Sequence, residues 1–418
     1  MIYQALTPDS LAGRLGPVAA LAERLGDPAG WRACEVGDGN LNLVFRLTGP
    51  RGSLIVKQAL PYVRLVGESW PLPLTRSFFE YHALIRQQAR DPGSVPQVHH
   101  FDAEQAIVVM EDLTPHVILR QSLMAGTRHD GLGQRLGSFC ARTLFRGSDL
   151  SMAAMDRKAD LALFAGNGAL CDITENLVFT DPYFDAALNR FTPALAPLVA
   201  DLRGDVALKR AVMRLKTAFA TRAETLLHGD LHSGSVMVAG ADAKVIDPEF
   251  ATYGPMGFDV GMLIANFLMA HAAQPGHAET PGARAGYQGW ILSVVREIWT
   301  SFAAEFARLW RSERRGMLYP ATLFEDQGQA DGAEQALLEV LAGIWRDTLG
   351  FAGVEIHRRT LGLAHIAEYE RIADEKTRAA CEARGLRLGR ALIMGQDSIA
   401  GIDALLALAR HFTPEDAA

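Results

Sequence analysis

The stretch that decides the fold reads LLHGDLHSGSVMVAGADAKVIDPEFATYGPMGFDVG, residues 226–261. It sets a His-Gly-Asp turn (His228, Gly229, Asp230) ahead of two short β-type runs, with an acidic pair, Asp247 and Glu249, behind them. Val236-Met237-Val238 and Lys244-Val245-Ile246 read as the arms of a hairpin closed by an Ala-Gly-Ala-Asp turn. Such a hairpin returns Asp230 to the side of Asp247 and Glu249. Carboxylates gathered at loop ends suit a divalent metal, because hard cations such as Mg²⁺ take oxygen ligands.

An Asp after a His, followed by a second Asp just past a strand, is the layout of a phosphotransferase centre. In protein kinases those positions hold the catalytic-loop base and the metal-binding Asp of Asp-Phe-Gly. Here Ser235 stands where that loop has a metal-binding Asn, and Asp247-Pro248-Glu249 replaces Asp-Phe-Gly. Glu249 is therefore expected to share the metal duty with Asp247.

Upstream, the period is that of strands. Trp31–Val36, Leu43–Leu47 and Ser53–Val56 are three β-type runs, separated by the Gly-rich GDGNLN and the turn Thr48–Gly52. Gly37 and Gly39 let backbone approach an anionic ligand closely, and Asn40 offers a short polar side chain at the tip. Lys57, at the end of the third run, is placed for nucleotide phosphates. Its expected partner is a Glu on the helix beginning near Arg76: Glu80, with Glu68 also in between. The Pro-rich segment before that helix carries Trp70 and reads as a loop able to reach the site as a lid. Val95–Phe101 and Gln105–Met110 complete a five-stranded sheet. Glu111-Asp112-Leu113 follows as the hinge whose backbone would pair with an adenine edge. At the start, Thr7–Ser10 and LAGRLGPVAALAERLG predict short capped helices at the surface.

From about residue 116 the pattern is helical. The aromatic stripe of Trp290–Arg314 reads as core, and residues 319–335 read as an exposed loop. Arg358 and Arg359, placed just before a helix, are donors for an anion or a polyol. Asp259 is expected to cap its helix and brace the catalytic loop. The net charge of −7 argues against a general nucleic-acid binder. Four scattered cysteines with no Cys-x-x-Cys point to neither zinc nor disulfides, and fit reduced thiols in the cytoplasm. The start of the chain lacks the pattern of a signal peptide. Val260–Ala273 is shorter than the roughly 20 residues of a membrane span and reads as a buried helix.

The string HGDLHSGS…DPEFATYGPMGFD, the Gly-rich turn, Lys57, Glu111-Asp112-Leu113 and the twin arginines together resemble the S-methyl-5-thioribose kinase family over nearly the whole chain. Ile173–Tyr183 also resembles a stretch of that family, without chemistry of its own. The resemblance implies an α+β, bilobal protein-kinase-like fold: residues 1–113 a sheet-rich N-lobe, residues 114–418 a mostly helical C-lobe. It also implies ATP- and Mg²⁺-dependent phosphorylation of the sugar 1-hydroxyl in methionine salvage, by a cytoplasmic homodimer. Asp230 would be the base; Asp230, Arg358, Arg359 and Trp70 would hold the sugar. Gly37, Gly39, Asn40, Lys57, Glu111, Asp112, Leu113, Asp247, Pro248 and Glu249 would hold ATP, with Asp247 and Glu249 on the metal. Read from the residues alone, phosphoryl transfer stands but the acceptor does not. A related 5-deoxypentose, choline, homoserine or an aminoglycoside are alternatives, and so is a nucleotide-binding module without activity.

Overall fold

A computed structural model describes residues 3–36, 41–63 and 67–413. Gly37, Gly39 and Asn40 lie outside these described residues, as does the side chain of Glu68. Seven strands come first: β1 (Arg32–Glu35), β2 (Asn42–Gly49), β3 (Gly52–Ala59), β4 (Tyr62–Val63), β5 (Gly67–Pro71), β6 (Val98–Asp102) and β7 (Ile107–Glu111). Five form an antiparallel sheet in the order β1-β2-β3-β7-β6, as the strand pattern predicts. β4 and β5 make a separate ribbon in the segment expected to be loop.

Strand alternation sorts the residues of β2 and β3 onto two faces. Phe45 opposes Val56, and Leu47 opposes Leu54. These apolar side chains are buried on the outer face against Leu11 and Leu15 of α1 (Pro8–Leu15) and Leu21 and Leu25 of α2 (Ala19–Leu25). The two N-terminal helices are thus a structural layer rather than surface ornament, because without them this face would meet water. Lys57, next to Val56, points to the other face. It also lies inside β3 rather than at its end, since pairing runs on to Asn42–Ala59.

Helices dominate beyond β7. The Gly257–Ala273 helix is buried along its whole length, as its apolar run requires. It packs against the Ala330–Leu361 helix, while the Leu132–Arg146 helix packs against the Ala285–Glu313 helix. No described helix is long and apolar enough to cross a membrane. Of the aromatic stripe, Phe302, Phe306 and Trp310 are core, and Trp290 and Trp299 are partly buried against it.

Two expectations fail here. Residues 319–335 are not all loop: the long helix already begins at Ala330. Arg358 and Arg359 close that helix instead of preceding one. The Gly and Gln residues at its start mask the pattern, and burial of its second half overrides an amphipathic period.

Close helix packing generates a contrast. A Cβ on Gly261 would lie 2.7 Å from the Thr348 carbonyl oxygen, whereas one on Gly343 of the same helix pair meets nothing within 4 Å. Gly261→Ala is expected to destabilise the protein by about 1–3 kcal/mol through overpacking. Gly343→Ala should stabilise it by roughly 0.5–1 kcal/mol through helix propensity. Urea unfolding of both variants checks the pair.

Candidate active site

The hairpin forms, with tighter closure than expected. Val236–Ala239 pairs with Asp242–Val245, leaving Gly240 and Ala241 as the turn. Ile246 N–H then bonds to Ser235 O at 2.9 Å, extending the ladder to the edge of the acidic turn. At the other end sits Gly229, with φ 86° and Phe250 O only 2.1 Å from where a Cβ would be, so only glycine fits. Asp259 braces the loop by accepting from the His228 N–H (2.6 Å) and Gly229 N–H (3.0 Å). It does not cap its helix, whose N-cap position is Met256 and has no side-chain cap bond. Its carboxylate is spent on the catalytic loop instead. Ser235 likewise turns inward: its Oγ donates toward the Asp230 and His232 carbonyls (3.1 and 2.9 Å) and accepts from the His232 N–H (2.8 Å). It therefore shapes the loop rather than replacing a metal-binding Asn.

Asp230 is held on both carboxylate oxygens. Its Oδ1 accepts from Arg358 Nη2 (3.2 Å) and Arg359 Nη2 (3.0 Å), and its Oδ2 lies 3.2 Å from His232 Nε2. Burial alone would raise this carboxyl; its neighbours His232, Arg359 and Arg358 outweigh burial and hold it well below the usual range. Arg359 is fixed in turn by Glu355, fully buried, with Nε to Oε1 at 2.7 Å.

The second cluster joins the two lobes. Lys57 Nζ bonds Glu80 Oε1 at 2.8 Å, and it also contacts Asp247 Oδ1. Glu80 is thus the helix partner found for Lys57. Asp247 adopts a left-handed backbone (φ 68°), a strained state that bends the chain off the hairpin, and its side chain is 46% exposed. Glu249 is buried instead. It accepts from Asn42 Nδ2 (3.2 Å) and pairs with Arg76 Nε (3.3 Å), whose side chain has no exposure at all. Arg76 and Glu80 stand four apart on the Arg76–Arg90 helix (α3), so one face delivers both contacts. Asn167 Nδ2 holds the turn from behind through the Glu249 and Ala251 carbonyls, each at 2.9 Å. Pro248 is buried in that turn.

Charge in this cluster is unbalanced. Carboxylate oxygens of Glu80, Asp247 and Glu249 lie within 4.8 Å of one another, against the two cations Lys57 and Arg76. Burial on its own would lower the Lys57 pKa, but Asp247, Glu80 and Glu249 outweigh it and raise it. One ammonium cannot satisfy three carboxylates. Burial accordingly raises Glu249 and pushes Glu80 up to about 7, while Lys57 draws Asp247 down against burial. A surplus of clustered oxygen donors fits a hard divalent cation.

The remaining expected residues are placed as follows. Asp112 accepts from Ser53 Oγ (2.6 Å) and Thr114 N–H (3.1 Å) and pairs with Arg46 (3.0 Å), bracing the hinge with its side chain. Glu111 closes β7, and its side chain accepts from the Gln97 N–H at 3.1 Å. Leu113 is buried. Trp70 packs against the buried cluster of Val63, Leu72 and Leu170, as do Leu41, Ile173 and Phe250, the last next in the chain to Glu249. Ile173, from the stretch without apparent chemistry, thus supports the Trp70 ribbon. Sequence reasoning missed Asn42, Arg76, Asn167 and His232. Only Arg76 left a signal, its spacing of four from Glu80.

Residues 32–317 match the model of the phosphotransferase enzyme family. Over 412 residues, 98% of each chain, the sequence is 42% identical to a methylthioribose kinase of Escherichia coli O45:K1 (strain S88 / ExPEC). It is 37% identical over 415 residues to methylthioribose kinase 1 of Oryza sativa subsp. japonica, covering 98% of this chain and 96% of that one. A methylthioribose kinase of Yersinia pseudotuberculosis is 43% identical over 381 residues, 91% of this chain and 90% of that one.

The geometry separates the two acidic residues of the turn. Asp247→Ala should abolish tight Mg·ATP binding, read by calorimetry, with thermal stability almost unchanged. Glu249→Ala should also weaken Mg·ATP binding, but it leaves Arg76 buried without its carboxylate and should cost roughly 3 kcal/mol of stability.

A second expectation concerns pH. Because Asp230 is held low, its ionised form persists far into the acid range, and kcat should not fall through Asp230 protonation near neutrality. Arg359→Met removes one guanidinium, raises the Asp230 pKa, and should move the acid limb of kcat to higher pH. Matched pH–rate profiles measure the displacement.

Proposed function

The chain belongs to the methylthioribose kinase family, and on that premise we propose that it transfers the γ-phosphoryl group of ATP to the 1-hydroxyl of S-methyl-5-thioribose. The product is the sugar 1-phosphate, and methionine salvage is the setting. The observation that carries the reading is the grip of Arg358 and Arg359 on Asp230, the one carboxylate of the catalytic loop.

In this reading Asp230 accepts the proton of the 1-hydroxyl and orients it. A carboxylate held so far down is a weak base, which suits phosphoryl transfer through a loose transition state, where positioning and charge matter more than early deprotonation. Each guanidinium carries five N–H donors, so contact with Asp230 leaves others for the sugar oxygens and for the charge that develops on the transferred group. Lys57, beside Asp247, pairs with phosphate oxygens in this reading, and the backbone at Glu111-Asp112-Leu113 receives the adenine edge. Asp247 and Glu249 would hold Mg²⁺, with Glu80 beside them; the ion supplies neutralisation of phosphate charge. Gly37, Gly39 and Asn40 complete the nucleotide site in this proposal. We also read the enzyme as a cytoplasmic homodimer, by resemblance.

The apolar surface of Trp70, Leu41, Ile173 and Phe250 supports the choice of acceptor. An apolar surface of this kind suits a methylthio group better than a 5-hydroxyl. A choline site would need an aromatic or acidic cage, which paired arginines oppose.

One kinetic comparison tests the reading. Asp230→Asn should lower kcat by roughly 10²-fold or more, with ATP binding little changed. For the intact enzyme, burying the unpaired 5-hydroxyl of ribose costs about 1–3 kcal/mol, so kcat/KM should favour methylthioribose on the order of 10- to 100-fold. Equal use of the two sugars would overturn the acceptor assignment and leave the kinase reading in place.

A further inference from the structure

The His232 imidazole belongs to no step described so far, yet the loop locks it in one orientation and one tautomer. Its Nδ1 faces two backbone donors, the Gly234 N–H at 2.9 Å and the Ser235 N–H at 3.1 Å. A nitrogen that accepts from two N–H groups carries no proton, so in the neutral ring the proton sits on Nε2. That Nε2 lies 3.2 Å from Asp230 Oδ2. The ring also lies directly over Gly234, where a Cβ would come within 2.7 Å of His232 Cε1, so the absence of a side chain there makes room for it.

We propose that His232 is a positioning residue for phosphoryl transfer: its fixed Nε2–H donates to Asp230 Oδ2 and so decides which oxygen of the carboxylate meets the acceptor. Oδ1 already accepts from Arg358 and Arg359, at 3.2 and 3.0 Å. Two donors fill the lone pairs of a carboxylate oxygen. Among the described residues Oδ2 has a single donor, His232, and keeps one lone pair for the incoming hydroxyl. Rotation of the carboxylate would break either the guanidinium contacts or the imidazole contact, so the base is fixed in plane and in register. The ring stays neutral at physiological pH: burial and the guanidiniums of Arg359 and Arg120 lower its pKa to about 4, against the raising effect of Asp230. It therefore acts as a dipole of fixed direction and holds no proton for transfer.

The inference rests on Asp230 being the acceptor-facing carboxylate, and the test keeps the two apart. His232→Asn retains an oxygen near the Nδ1 position for the Gly234 and Ser235 N–H groups but loses the donor to Asp230. His232→Gln supplies an N–H near the Nε2 position. The expected result for His232→Asn is a fall in kcat of about ten- to hundredfold, the worth of one hydrogen bond to a charged group, with the KM for ATP within about twofold of the parent. Its acid limb of kcat should move to higher pH, its thermal unfolding should be unchanged, and His232→Gln should recover part of the lost rate. Retention of parental kcat and of the acid limb by His232→Asn overturns the inference. So does a loss that appears only as lower thermal stability with a parallel rise in the KM for ATP. Asp230→Asn serves as the reference: if it is inactive while His232→Asn is fully active, only the His232 role falls, and if it is active, both fall.

Discussion

Lys57 is the interaction on which the arrangement depends. A single ammonium on the inner face of the sheet touches Glu80 of α3 and Asp247 of the catalytic segment, so strand, helix and catalytic turn meet at one atom. Arg76 repeats the device one helical turn away through Glu249, and Asn42 at the start of β2 completes it. The sheet, α3 and the acidic turn are thus registered by ion pairs. Such pairs contribute little net stability but become costly when one partner is removed. Their value here is geometric, since they bring Lys57 and the acidic turn together.

A parallel logic governs Asp230. The backbone N–H groups of His228 and Gly229 are tied to Asp259, the loop is closed by Ser235, and the carboxylate is clasped from two sides. Rigid support of a catalytic group by packed helices and satisfied hydrogen bonds lowers the entropic part of the barrier. The Gly257–Ala273 helix that carries Asp259 is buried throughout, so the brace is anchored away from solvent. In the proposed role the same clasp makes Asp230 a poorer base, which phosphoryl transfer tolerates better than acyl transfer does.

Much of this was legible in the sequence because it is local. The strand alternation of β2 and β3, the hairpin after the His-Gly-Asp turn and the apolar run of the Asp259 helix each report their own conformation. The residues that escaped are those whose role is set by distant partners. Asn42 and Glu249 are 207 positions apart, and Asn167 reaches back to the acidic turn across 82. For Asp259 the sequence pattern implies both a cap and a brace of the loop; only the brace forms, because local capping rules cannot see the two N–H groups that claim its oxygens. The helix ending at Arg358 and Arg359 was misplaced for a related reason. A segment buried on all sides loses the period that marks a helix.

The central claim is the transfer of a phosphoryl group from ATP to the anomeric oxygen of methylthioribose. Phosphorus-31 NMR of purified protein with Mg·ATP and S-methyl-5-thioribose tests it most directly, because it identifies the ester formed as well as the nucleotide consumed. The account predicts equimolar ADP and a phosphomonoester whose phosphorus couples to the anomeric proton. ADP accompanied only by inorganic phosphate, or an ester on another hydroxyl, would contradict it.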